Sequence, residues 1–340
     1  MSDPSTWGKV EPALVEAVNF LTGDDWGFEF TAYPPIPTPE YLVGDSSTRV
    51  VLLSGGADSG SGALISGSLL GDSGTQTFVS HASSGAASAP QKELRKRLES
   101  IYPGKQAAHH RKFIGRSKKK PDGTEFPSEP SSRSRSLLFL ALGLAVAAQA
   151  EVPLWIPENG FASLNPPLGP ERLGALSTRT TQPWFLWRIQ EILESMGAHG
   201  VIENPFQFVT KGEMFTQVKK LLGDDNASAY LSATNSCSYT DQNYQGVPSG
   251  THCGVCFGCI LRRASFHASG VEDATAYLSD DPKYARYVTS HSSVTAARDF
   301  AVEPISPATV IMMSLPPALS AQQAMEICQR GQAEIGAYLG

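Results

Sequence analysis

An α/β fold built on a parallel sheet is predicted for this 340-residue chain by three observations. From Arg49 onward, short apolar runs alternate with helical patterns, and strand and helix in turn imply βαβ units. The first of those runs breaks abruptly into a glycine-rich turn, RVVLLSGGADSGSG, where ligands of parallel sheets bind. Four of the five cysteines crowd between Cys237 and Cys259, which predicts a zinc knuckle rather than a disulfide framework in a reducing compartment.

The elements follow in order. Residues 1–47 read as an N-terminal extension: a helical pattern in VEPALVEAVNFL, strand-like alternation in GDDWGFEFTAY and the Pro-rich PPIPTPEY. Residues 48–223 read as the α/β domain. RVVLLS is a strand, SGALISGSLL a helix, TQTFVSHA a strand, APQKELRKRLESI a helix, KQAAHHRKFI a strand, RSLLFLALGLAVAAQA a helix and VPLWIP a strand. A second stretch adds the helix TQPWFLWRIQEILESMG, the short strand HGVIEN and the helix KGEMFTQVKKLLG. Residues 115–132, GRSKKKPDGTEFPSEPSS, form a polar loop that is either a lid or a solvated linker. Residues 224–279 are expected to be loop-rich and zinc-binding, and residues 280–340 to be a helical C-terminal appendage.

Composition narrows the function. At 41% hydrophobic content the chain can bury a large core. A net charge of −6 gives no global attraction to a polyanion, so nucleic acid is not an expected partner. The N-terminus lacks signal-peptide character, and the longest apolar run, LLFLALGLAVAA, is too short to span a bilayer. The expected location is the cytoplasm.

Two constellations carry chemistry. A glycine-rich turn entering a helix can cradle phosphate, but Asp58 within it would repel phosphate unless a cation sat between them. That points to a nucleotide held with Mg²⁺. The turn is no Walker A loop, since no G-K-[ST] follows. Ser54, Gly55, Gly56, Asp58 and Ser59 instead resemble the PP-loop of the ATP pyrophosphatases, which cleave ATP between its α- and β-phosphates. The second constellation is C-x₁₅-C-x₂-C-x₂-C at Cys237, Cys253, Cys256 and Cys259. Four thiolates can close a tetrahedral shell around Zn²⁺ and leave no open position for catalytic water, so the metal is expected to be structural and hidden from substrate. His252 abuts Cys253 and is the alternative ligand.

Together the two constellations resemble the 7-cyano-7-deazaguanine synthases, the QueC family, over about residues 48 to 278. EPSSRSRSLLFL is similar to the family's arginine-then-helix segment, with Arg135 at its arginine, and NPFQFVTKGEMF to a family loop, with Thr210, Lys211 and Glu213. The resemblance implies an adenine nucleotide alpha hydrolase-like fold and an ATP-dependent, C–N bond-forming ligase that releases AMP and diphosphate. ATP would be bound through Ser54, Gly55, Gly56, Asp58, Ser59 and Arg135. Asp58, Ser59 and Lys211 would be catalytic, Asp58 by holding Mg²⁺. The substrate implied is 7-carboxy-7-deazaguanine, adenylated on its carboxylate, converted by ammonia to an amide and, with a second ATP, to a nitrile.

The resemblance departs at ENGFASLNPPLGPERLGALSTRTTQPWF, where the synthases carry a shorter stretch, and at both termini. These features, with LTGDDWGFEF, resemble the QueC-like proteins of bacterial anti-phage operons, the QatC type and those of type IV CBASS. That branch implies transfer of the deazaguanine acyl group to an amine, on a protein partner from the same operon. The ammonia-using synthase and a non-catalytic nucleotide-binding scaffold remain the alternatives, and a homodimer is a possible assembly. Arg179 and Thr180 could bind the deazaguanine or the AMP phosphate, or be surface residues, and Lys211 could reach a phosphate or be solvated. One of His109 and His110 should face inward as a satisfied core histidine. Trp184, Trp187 and Cys328 read as core.

Overall fold

The computed structural model describes residues 3–34, 47–82, 85–114, 117, 119–126, 133–166, 179–239, 246–248 and 250–340. Five strands, β1 (Arg49–Leu52), β2 (Gln76–Ala82), β3 (Gln106–Phe113), β4 (Leu154–Trp155) and β5 (Ile202–Glu203), form a wholly parallel sheet in the order β3-β2-β1-β4-β5. The chain winds outward from β1 to β3 and then returns to lay β4 against β1, pairing Val50 with Thr77 on one side and Leu154 on the other. The strand order reverses there, so a crevice opens at the carboxyl ends of β1 and β4.

Alternation along β1 sends its side chains to two cores. Val51 and Leu53 pack with Phe78 and Trp155 against α2 (Ala57–Ser68), α3 (Gly85–Ile101), α7 (Lys211–Leu222), α8 (Asp224–Ser232) and α9 (Phe257–Ser269). Val50 and Leu52 pack with Val79 and Leu154 against α1 (Pro4–Thr22), α4 (Arg135–Ala150) and α6 (Pro183–Ser195). A fully buried side chain of this size contributes about 1.5–3 kcal/mol relative to an exposed one. A third core joins α5 (Gly160–Leu164) and α9 to α11 (Val294–Val302), α12 (Pro307–Ile311) and α13 (Ala321–Leu339). α10 (Ala285–Ser290) packs Tyr287 against the cysteine knuckle.

Local structure departs from expectation in two places. GDDWGFEFTAY forms no strand: residues 23–34 are irregular, and Phe28 stacks between Trp26 and Phe30 at 6.2 and 6.1 Å without a pairing strand. The stretch after Gly223 is not all loop, because α8 buries Ala227, Tyr230 and Leu231 at i, i+3 and i+4. Much of the suggested lid at 115–132 lies outside the described residues; its centre is a tight turn, with the Lys120 N–H donating to the Thr124 carbonyl at 2.8 Å. Residues 167–178 of the divergent segment also lie outside them. Among the described residues no helix is long and apolar enough to cross a membrane.

Candidate active site

SGGADS lies where β1 meets α2. Gly55 adopts φ +93°, a conformation open to glycine, and a Cβ there would press on Pro90 and Gln91. The Gln91 amide donates to the Ser54 carbonyl at 3.2 Å and fixes the turn from α3. The Ser54 and Ser59 hydroxyls meet at 2.9 Å across the turn. Asp58 is not a loop residue but sits in the first turn of α2, whose N–H groups and partial positive charge face the crevice.

Asp58 has a defined set of partners. Its Oδ2 meets Lys211 Nζ at 2.7 Å, with side-chain exposures of 12% and 5%, so the pair is largely withdrawn from water. Its Oδ1 accepts from Asn159 Nδ2 at 2.8 Å. Lys211 is placed by a capping box at the start of α7: Thr210 Oγ1 accepts from the Glu213 N–H at 3.1 Å, and Glu213 accepts from the Thr210 N–H at 2.8 Å. Beside them, burial and then the negative charge of Asp58 hold the Glu158 carboxyl well above the usual carboxylate range, with Lys211 opposing. Sequence reading missed Glu158 and Asn159. The signal was available, because P-E-N directly follows the β4 run at the carboxyl end of a strand next to β1.

Asp58, Glu158 and Lys211 line a cleft of about 350 Å³ with Ser54, Ser59 and Thr180. It adjoins an apolar recess of about 310 Å³ walled by Leu52, Phe139 and Ile156, with Arg135 at its edge. Ser54, Ser59, Arg135, Thr180 and Lys211 thus border one continuous crevice. Arg179 is directed elsewhere: its guanidinium donates to the Phe20 carbonyl at 2.8 Å and lies 4.4 Å from the Phe20 ring, anchoring α1. His109 is the inward member of its pair, 2.8 Å from Ser80 Oγ and outside the crevice.

The four cysteine sulfurs lie within 4.8 Å of one another, all buried and none in a disulfide. Cys237 and Cys256 are 3.9 Å apart, and Cys253 and Cys259 3.8 Å. A tetrahedron with Zn–S bonds of about 2.3 Å has edges of about 3.8 Å, so the cluster fits zinc. Backbone N–H groups of Cys253 and Cys256 point at sulfur, at 3.4 and 3.2 Å, as thiolates require. His252 is not one of the cluster and lies edge-on to Tyr277. A Cβ on Gly258 would lie 2.2 Å from the Ser236 carbonyl, so only glycine lets α9 approach that segment. The knuckle is not remote from the crevice. Cys237 borders it, the Ser236 hydroxyl accepts from the Ala57 N–H at 3.1 Å, and the Asn235 N–H donates to the Gly55 carbonyl at 2.9 Å.

No family model matches the chain. Curated relatives do. The chain is 31% identical over 162 residues to 7-cyano-7-deazaguanine synthase 1 of Sphingopyxis alaskensis, covering 46% of this chain and 61% of that protein. It is 32% identical over 146 residues to the 7-cyano-7-deazaguanine synthase of Novosphingobium aromaticivorans, covering 42% and 54%. The chain therefore spans between half and two thirds of the length of these two relatives. The synthase of Cupriavidus taiwanensis matches at 30% over 252 residues, 67% of this chain and 96% of the relative. With nearly the whole of that protein covered, the chain belongs to the QueC-like family of 7-cyano-7-deazaguanine synthases.

Proposed function

We propose that this chain uses ATP to activate the carboxylate of a 7-deazaguanine and completes it to the nitrile with ammonia; the nitrile is the product that the name of its relatives, 7-cyano-7-deazaguanine synthase, gives. The observation that carries this reading is the meeting of Asp58 and Lys211 under the SGGADS turn, at the point where the strand order reverses. A carboxylate oxygen of 7-carboxy-7-deazaguanine attacks the α-phosphorus of ATP. The bond to the β-phosphate oxygen breaks and pyrophosphate leaves. Ammonia displaces AMP from the acyl carbon to form the amide, and a second ATP activates the amide oxygen, whose departure with AMP leaves the nitrile.

The chain's own groups have distinct tasks. The first turn of α2 and Lys211 face the charge developing on pyrophosphate, where preorganised donors supply several kcal/mol. The recess beside Arg135 offers apolar walls for a flat ring. Asp58 already balances the charge of Lys211, so a polyphosphate entering beside them would need a divalent cation; Mg²⁺, held by Asp58, would neutralise the leaving group.

A second reading, transfer of the acyl group to an amine of an operon partner in anti-phage defence, rests on the divergent segment after Glu158. The names of the relatives favour the synthase over it. The test is incubation with ATP, Mg²⁺, 7-carboxy-7-deazaguanine and ammonium. Two pyrophosphates per nitrile support the synthase. One pyrophosphate per conjugate, no nitrile, and a partner protein heavier by one acyl group would favour the second reading, and no pyrophosphate release would sink both.

A further inference from the structure

The last helix of the chain reaches the active-site lysine. α13 places Glu334 against the start of α7, where its Oε1 accepts from the Thr210 hydroxyl and its Oε2 from the Gly212 N–H at 3.2 Å, on either side of Lys211. A carboxylate between two donors at a helix N-terminus is a strong anchor, since hydrogen bonds to an ionised acceptor are roughly twice as strong as neutral ones. One turn earlier, Arg330 Nε pairs with Glu213 Oε1 at 3.0 Å, so the same helix grips the other member of the capping box. The opposite partner of Asp58 is braced as well. A Cβ on Gly160, which follows Asn159, would lie 3.0 Å from Ile327, and one on Gly331 would lie 2.3 Å from Phe161. α13 therefore packs against both turns that hold Asp58.

We propose that Glu334 is a positioning residue that fixes Lys211 against Asp58, making α13 a structural wall of the active site. The kinetic part rests on the function proposed above; the geometric part does not. Burial, with the charge of Glu213 adding, raises the Glu334 carboxyl above its ordinary range, against the two donors and Lys211, which pull it down.

Two measurements need no substrate. Hydrogen–deuterium exchange of peptides spanning 205–218 reads the Gly212 N–H, and the rate of Lys211 acetylation by an activated ester reads the access of its ammonium. In Glu334→Ala, both should rise by about tenfold or more, the loss expected for a hydrogen bond to a charged group. Glu334→Gln should fall between, because an amide oxygen can replace one acceptor only. Glu326→Ala, on the same helix but exposed and bonded to Gln322, should match the parent. ATP-dependent pyrophosphate release with 7-carboxy-7-deazaguanine should lose kcat in the order Ala, then Gln, with KM for the deazaguanine little changed. Parental exchange and acetylation in folded Glu334→Ala would overturn the proposal, as would faster exchange with an unaltered kcat. If the parent releases no pyrophosphate, the proposed function fails and the two substrate-free measurements decide the role of Glu334. If Glu334→Ala does not accumulate, the isosteric Gln variant carries the same comparison.

Discussion

Replacing Lys211 by Met separates a buried ion pair from its geometry while nearly conserving side-chain volume. The ammonium is 5% exposed and lies 2.7 Å from an Asp58 carboxylate that is 12% exposed. Removing one partner of such a pair typically costs about 3–5 kcal/mol, because the remaining charge stays desolvated. Asp58 keeps the Asn159 amide at 2.8 Å and the α2 N-terminus, which together offset about 1 kcal/mol. The expected loss is therefore about 2–4 kcal/mol, a fall in urea midpoint of about 1–2 M for a slope near 2 kcal/mol/M. Asp58→Asn with Lys211→Met should recover most of the loss, because both charges go together, giving a coupling energy of about 2 kcal/mol in the double-mutant cycle. If the single variant loses under about 0.5 kcal/mol and the cycle shows no coupling, the pair behaves as a solvated surface contact and the reasoning from burial is refuted.

Metal analysis should find one zinc per chain, and Cys256→Ser should lower the yield of soluble protein, since structural zinc contributes about 10–16 kcal/mol in small peptides. Chelation should also speed exchange at the Ala57 amide, which bonds Ser236 next to Cys237; an unchanged amide would mean the knuckle and the PP-loop are uncoupled. Burial, with Arg111, Arg95 and His110 adding, pushes His109 down from 6.5 to about 4. The unfolded chain thus takes up a proton between those values that the folded chain refuses, so stability is full above pH 6.5 and declines toward pH 4. With the half-buried ring partly screened, the loss should be about 1–2 kcal/mol, and urea titrations at pH 7.5 and 4.5 should show it absent in His109→Gln. Arg179→Ala should free α1 by about 1–2 kcal/mol and speed proteolysis after Thr22, because the side chain bonds and covers Phe20.

Legibility followed the range of each signal. The sheet strands were readable because β-branched and leucine runs alternate with helical patterns, and SGGADS marked the crevice because glycines and one acid in that setting have few other uses. The cysteine spacing carried its own geometry. What escaped depended on neighbours in space. Alternation in WGFEF needs a pairing strand that the fold does not provide, so its aromatics stack along an irregular segment instead. The helix α8 is short and polar, and its buried Tyr230 earns a place through a hydroxyl that donates to the Gly60 carbonyl at 2.8 Å. Arg262, fully buried in α9, is invisible to a reading that expects arginine at the surface; it donates to Thr234 at 2.6 Å and to the Leu231 carbonyl at 2.8 Å, closing the end of α8.

The same long-range contacts explain why the crevice belongs to the whole chain rather than to the first 223 residues. Val51 of the central strand shares its core with Phe215 and Val218 before Gly223 and with Tyr230, Leu231 and Phe266 after it. The Ala57 N–H reaches across 179 residues to Ser236, and the cap of Lys211 reaches across 124 to Glu334. Each closure of that length is entropically costly, yet the cost grows only logarithmically with the loop, so a few buried contacts suffice to hold it. The turn that would receive phosphate, the lysine that meets Asp58 and the asparagine opposite are consequently set by three separate later segments: the irregular stretch into the knuckle, the start of α7 and the last helix. A fragment ending at Gly223 would keep SGGADS in its sequence and lose Ser236, Asn235 and Glu334 from its structure. The glycines would then have no back wall, which makes the PP-loop here a product of tertiary assembly and not of its own six residues.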